Sequence, residues 1–302
     1  MSFIFNQVLI LFIFITVGFI LGKTNISKSE HSQILSSLLI YVFLPCNIFK
    51  TFLKNFNIKY ITSGYKLLIV STIIIIFLLV LSHFLAKAFS KDNYERCIYA
   101  YSLSVPNYGY MGYALAQALL GETGLMNIMT FAIPVSIYIY TIGFFKLTKR
   151  PFSYKKICNP IMIATVLGIT AGLCGITLPN AITIVLEKAS ACMAPVSMLL
   201  TGIVISKFSL KSVFCNAKAY PLSILRLIII PTLLGVVLSI FCDAYLLQTA
   251  VLFYALPCGL NTVVFPKLVG EKCEIGASLA LTSTILACIT LPIILSVFNI
   301  VG

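Results

Sequence analysis

The sequence predicts an all-α polytopic membrane protein of ten transmembrane helices, built as two inverted five-helix repeats with broken crossover helices 4 and 9. Three observations predict it: the hydropathy, the placement of basic residues between apolar runs, and punctuation residues that recur about 150 positions apart. Of the 302 residues, 60% are hydrophobic and 10% charged, and the mean hydropathy is +1.06. A soluble domain of this length needs far more polar surface, so lipid is the solvent for much of the chain. Lys and Arg outnumber Asp and Glu by 21 to 8. These charges sit in short strips between apolar runs, which suits anionic lipid headgroups and speaks against nucleic acid as a partner.

A helix rising ~1.5 Å per residue needs about 20 apolar residues to cross the hydrocarbon. Segments that qualify in the first half are Phe3–Leu21, Gln33–Leu53, Lys66–Phe89, Cys97–Leu120 and Leu125–Leu147. In the second half they are Asn159–Ile176, Thr183–Ile205, Tyr220–Phe241, Thr249–Val269 and Gly276–Phe298. The first segment lacks a basic n-region and a small-residue cleavage site, so it reads as a retained span. Loops after the odd-numbered spans, with the span ends beside them, hold 15 Lys and Arg, among them Lys146, Lys149, Arg150, Lys155 and Lys156. The termini and the other loops, with their adjoining span ends, hold 4, namely Lys50, Lys54, Lys59 and Lys188. The positive-inside rule then places both termini outside a prokaryotic plasma membrane. Lys66 and Arg226 fall at or within span ends and stand outside that count; for Arg226, as for His83, snorkelling or packing is the default.

Phe43-Leu44-Pro45 recurs as Met193-Ala194-Pro195, Pro106 as Pro257, Gly121-Glu122 as Gly270-Glu271, and Gly18 as Gly172. Residues 1–150 and 151–302 therefore read as two copies. Each holds five spans, an odd number, so the second copy enters from the opposite side. Inverted repeats of this kind characterise secondary transporters, because two related halves can exchange inward-open and outward-open shapes.

Spans 4 and 9 are interrupted at matching places, Ser104-Val105-Pro106-Asn107-Tyr108-Gly109 and Leu256-Pro257-Cys258-Gly259-Leu260-Asn261. Proline removes a backbone donor and clashes with the preceding turn. Such breaks are tolerated at membrane depth where they line a polar cavity inside protein. Each exposes the N-terminal end of a half-helix, with about half a positive charge. Two of these ends make an anion site without a buried Lys or Arg. Candidate substrate-binding residues are Asn107 and Asn261, whose amides donate to a carboxylate, with Pro106, Pro257, Tyr108, Gly109 and Gly259 shaping the breaks. Asn47, two residues after Pro45, is a third amide candidate; its repeat counterpart is Ser197.

The ten cysteines are scattered without C-x-x-C pairs or His partners at ligand spacing, so neither a metal site nor a cofactor is expected. No Ser/His, paired-Asp or metal-ligand constellation falls within the spans, which argues against an enzyme. No Asp or Glu falls in the middle of a span, where proton- and sodium-coupled carriers commonly place one. Potential-driven movement of an organic anion needs no second ion, since each charge gains about 2.3 kcal/mol per 100 mV. A sodium- or proton-coupled symporter of the same fold and a channel are the alternatives.

The chain resembles the auxin efflux carrier family, which includes plant auxin exporters and bacterial malate-permease-like proteins. The resemblance rests on Leu44-Pro45 with Phe49, on Asn159-Pro160 through Gly168, Gly172 and Leu178-Pro179, on Pro195 with Gly202, and on Leu256-Pro257 through Asn261. It implies that spans 4 and 9 cross at Pro106 and Pro257. It also implies that spans 1, 2, 6 and 7 form a scaffold and the other six move as an elevator. Asparagines that contact a carboxylate ligand in the plant members match Asn107, Asn261 and Asn47. The chain departs from many plant exporters in having only a short link between spans 5 and 6, and in lacking an obvious acidic or basic pair beside the site. The expected activity is efflux of small organic anions, malate- or auxin-like carboxylates, and any pairing of two copies is expected through the scaffold helices.

Overall fold

The computed structural model describes residues 2–24, 29–150, 159–208, 216–267 and 269–300. The junction at 151–158, with Lys155 and Lys156 of the basic strip, lies outside the described residues, as do Lys28 and Lys211. Among the described residues there is no β-strand, and the elements are helices.

The first half contains α1 (Ser2–Lys23), α2 (Ser29–Leu38), α3 (Leu44–Asn55), α4 (Ile58–Phe89), α5 (Asn93–Ser104), α6 (Tyr113–Tyr138) and α7 (Phe144–Thr148). The second contains α8 (Pro160–Leu173), α9 (Asn180–Ser206), α10 (Ala219–Ile224), α11 (Ile230–Phe241), α12 (Ala244–Ala255), α13 (Asn261–Lys267) and α14 (Glu274–Val297). Polar side chains start several of them. The Asn57 amide oxygen accepts from Tyr60 N–H at 2.9 Å, and Asp92 accepts from Glu95 N–H at 2.8 Å. Asn159 accepts from Ile161 and Met162 N–H, with Pro160 supplying the first turn's fixed φ.

Wider π-turns join α2 to α3 over Leu39–Phe43 and α10 to α11 over Leu225–Ile229. Pro45 and Pro231 stand two residues beyond their ends. A proline ring has no N–H and clashes with the carbonyl four residues back, so the helix widens by one residue instead of ending.

Among the described residues, seven stretches are long and apolar enough to cross a membrane, and Pro160–Leu173 and Ala244–Ala255 are shorter apolar helices. Large apolar side chains such as Ile13, Ile73, Phe77, Val237 and Phe241 face outwards. That belt suits lipid, and the chain is a multi-pass membrane protein. Two details differ from the sequence reading. The loop expected between spans 4 and 5 is reduced to Gly121 at φ 68°, inside the continuous 41-residue stretch Tyr108–Thr148. The sixth segment, Pro160–Leu173, is a shorter helix than a full crossing needs, whereas the ninth stops at Ala255 before its expected break.

Helices pack in two groups. α1 lies against α9 and α3 against α8, with α3 also touching α9. The contacts are backbone-close: a Cβ on Gly18 would stand 2.1 Å from Leu199 O, and one on Gly172 would stand 2.7 Å from Phe52 O. Lipid gives helices no hydrophobic reason to associate, so small residues that admit a neighbouring backbone hold such pairs together. The second group is built from α4 with α5 and α6, α11 with α12, and α10 with α14.

Candidate functional site

α5 ends at Ser104 and α12 at Ala255, each just before its proline. The two interruptions meet. An isolated antiparallel bridge joins Pro106 to Cys258. Asn107 N–H, whose helical acceptor would be Leu103 O, donates instead to Pro257 O at 2.9 Å. Gly259 N–H, whose helical acceptor would be Ala255 O, donates to Val105 O at 3.2 Å. Cys258 N–H donates to Ser283 Oγ at 3.0 Å. Each break thus takes up groups the other has freed, which is what a water-poor interior demands.

A cavity of about 200 Å³ opens beside this crossing. Pro106, Asn107, Tyr108 and Gly109 line it from the first break, and Gly259, Leu260 and Asn261 from the second. Ile40, Tyr41 and Leu44 form a facing wall with Asn159, Pro160 and Ile161, and Tyr110, Tyr113, Tyr140, Phe144, Val264 and Phe265 also line it. No charged side chain is among its described lining residues.

Six of the eight residues nominated from the sequence line this cavity; Pro257 and Asn47 do not. Pro257 contributes its carbonyl to the bridge. Asn47 is fully buried, and neither of its amide atoms has a partner. Its counterpart Ser197 donates to Tyr110 O at 2.9 Å.

The cavity residues hold unequal commitments. Asn261 Nδ2 donates to Tyr101 Oη at 2.9 Å. The Asn107 side chain does not cap the turn that follows it. The Tyr108 hydroxyl shares a 2.6 Å hydrogen bond with Ser136 Oγ, and its ring stacks on Phe253 with centroids 5.2 Å apart. A Cβ on Gly109 would meet nothing within 4 Å.

A second hollow of about 750 Å³ adjoins the first, sharing Ile40, Tyr41, Tyr110, Leu260 and Val264, and reaches Lys207 and Lys267. Lys207 Nζ donates to Ser32 Oγ. Burial pushes the Lys207 ammonium below its ordinary pKa, and the charge of Lys267 adds to that. In the sequence these lysines are indistinguishable from other loop cations.

Arg226 departs most from the sequence reading, which placed it near a span end and left no buried cation near the site. It is fully buried. Nη1 donates to Leu103 O at 3.1 Å, and the guanidinium lies over the Tyr254 ring, 5.5 Å from its centroid. Nε and Nη2 have no partner among the described residues. The residue sits in the π-turn Leu225–Ile229, six positions inside the span expected to start at Tyr220. A charged side chain buried within a membrane span is costly, so its retention needs a reason.

A multi-pass helical bundle whose interior holds two interlocked broken helices beside a cavity defines a membrane transport protein. The chain belongs to the membrane transport protein family, whose sequence pattern matches residues 3–156 and again 150–295. This bears out the resemblance to auxin efflux carriers read from the motifs. An uncharacterised transporter of Methanocaldococcus jannaschii is 29% identical over 237 residues, 75% of this chain and 76% of the relative. A Rhizobium meliloti protein named provisionally as a malonate transporter is 22% identical over 306 residues, 96% and 94% of the two chains. Both relatives carry the names of transporters and neither that of an enzyme.

Proposed function

We propose that the protein carries small carboxylates across the membrane by elevator-type alternating access, with residues 1–150 and 151–302 as two inverted five-helix repeats and ten spans in all. One observation carries the substrate class: both breaks present amides, Asn107 and Asn261, to a single cavity whose described lining includes no charged side chain. The helical stretch beginning at Tyr108 also points its N-terminal end there, and α13 adds a weaker end because it has only seven residues. A carboxylate satisfies such donors, whereas a cation would face only amide oxygens and aromatic rings. The volume, below the 300–1,000 Å³ of drug-sized pockets, favours a small ligand. A relative named for malonate agrees with that class.

Matching details support the repeat. Gly121 and Gly270 both adopt positive φ, 68° and 75°, and each is followed by a glutamate paired to lysine, Glu122 to Lys54 and Glu271 to Lys149. The α1–α9 contact at Gly18 is mirrored by the α8–α3 contact at Gly172. The tight group α1, α3, α8 and α9 supports a scaffold, and a homodimer would form through it. The cavity lies between that group, through Leu44 and Pro160, and the crossover. Elevator transport requires a site on such a boundary. With both termini outside, the hollow at Lys207 and Lys267 opens inwards and the direction is efflux, driven by an inside-negative potential.

Radiolabelled malonate counterflow in proteoliposomes tests the reading. Saturable exchange without a sodium or proton gradient is the expected result. Failure of every mono- and dicarboxylate to raise the melting temperature of the purified protein would overturn the carboxylate assignment.

A further inference from the structure

We propose that Arg226 is the built-in counter-cation of the crossover. As a positioning residue, it neutralises the carbonyl ends of α5 and α12 and leaves the opposite, amide-bearing side of the crossing with a net positive field. The first part stands on geometry alone; the consequence for an anion rests on the carboxylate reading above.

The crossing sorts its helix ends by sign. Asn107, Tyr108, Gly259 and Asn261, at or near the starts of the second half-helices, line the cavity. The first half-helices end at Ser104 and Ala255. Pro106 has no N–H for Ser102 O, and Pro257 has none for Phe253 O. Asn107, Cys258 and Gly259 turn their N–H groups to Pro257 O, Ser283 Oγ and Val105 O. Leu103 O, Tyr254 O and Ala255 O thereby lose their in-helix donors. Each C-terminal end carries about half a negative charge, so the two amount to about one elementary charge. One guanidinium balances them. Arg226 meets the first end directly through Leu103 O and overlies Tyr254 in the last turn of the second.

A bound metal cation at those carbonyl ends would do the same work, and Arg226 makes it unnecessary. Removing the charge while keeping a polar side chain should therefore create a demand for a cation that the native protein does not have.

The test uses the full chain purified in detergent, comparing wild type, Arg226→Gln and Arg226→Lys by melting temperature. Solutions contain choline chloride, sodium chloride, or choline chloride with low-millimolar guanidinium. Wild type and Arg226→Lys should melt alike and shift by less than about 1 °C between conditions. Arg226→Gln should melt lower and recover by about 2–4 °C with guanidinium or sodium. Sodium stabilisation of the wild type, or indifference of Arg226→Gln to both cations, overturns the proposal. If Arg226→Gln cannot be recovered from the membrane, Arg226→Lys decides: its recovery with a wild-type melting temperature supports a charge role, and its loss shows a packing role instead. A second reading uses malonate as the probe. A malonate-induced shift in wild type that needs at least tenfold more malonate in Arg226→Gln supports the field at the site, and an equal midpoint in the two overturns it. A wild type moved by no mono- or dicarboxylate sinks the carboxylate reading and leaves the cation result standing.

Discussion

The break at Pro106 and the break at Pro257 solve one backbone problem in the same way and then diverge in their side chains. Each sends one N–H to a carbonyl of the other, so neither half of the crossing is satisfied without its partner. Beyond that symmetry, Asn107 keeps its amide uncommitted by the following turn, while Asn261 gives one amide proton to Tyr101. Gly109 faces open space, whereas a Cβ on Gly259 would stand 3.3 Å from both Val105 O and Pro106 O. The second break is the packed one and the first is the open one. A duplicated device therefore supplies the architecture twice and leaves recognition to be divided unequally.

The glycines give the largest contrast. Gly109→Leu should fill the cavity and abolish malonate counterflow, with the melting temperature kept within about 2 °C because a Cβ there meets nothing within 4 Å and the branch enters open space. Gly259→Leu should fail in the opposite way, by loss of folded protein, since its side chain would drive into the bridge. Normal flux through Gly109→Leu would show that the cavity is not on the path.

Next come the amides. A hydrogen bond to a charged partner is worth about 1.5–3 kcal/mol, which corresponds to roughly 10- to 150-fold in affinity. Asn107→Ala, with both amide protons available to a ligand, should approach that range when the malonate midpoint is titrated by thermal shift. Asn261→Ala should lose less, about tenfold or under, because one of its protons already serves Tyr101. Tyr101→Phe releases that proton and should weaken binding by less than Asn261→Ala does. Equal losses at Asn107 and Asn261 would erase the asymmetry inferred from the hydrogen bonds.

How much of this was legible in the sequence depends on the distance over which each signal acts. The helical segments follow from apolar length, and the breaks follow from prolines whose missing N–H is a local fact. Asn107 and Asn261 were reachable because they sit beside those prolines. Tyr113, Tyr140, Phe144 and Phe265 line the cavity through tertiary packing that no spacing encodes. Arg226 illustrates the limit best. Its position within an apolar run reads as a snorkelling cation, because the carbonyl it serves lies 123 residues away. Gly121 was read as part of a loop, and only the φ of 68° shows that one residue replaces it.

The smallest effect concerns the two glutamates that follow the paired glycines. Glu122 reaches Lys54 at 2.8 Å and Lys50 at 3.6 Å, both on α3 of the tight helix group. Glu271 reaches Lys149 at 2.7 Å, just past α7 and within the other group. If the second group slides along the first, the Glu122 bridge has to open in each cycle while the Glu271 bridge travels intact. Partly exposed pairs of this kind contribute about 0.2–1 kcal/mol, which shifts a conformational balance by about 1.5- to 5-fold. Glu122→Gln should change the malonate midpoint by that factor at low ionic strength, and the change should shrink at high salt as screening removes the native bridge. Glu271→Gln should leave the midpoint where it is. A reversed pattern, with Glu271 governing the balance, would mean that the boundary between the moving and stationary groups runs through α7 and not between α3 and the Gly121 kink.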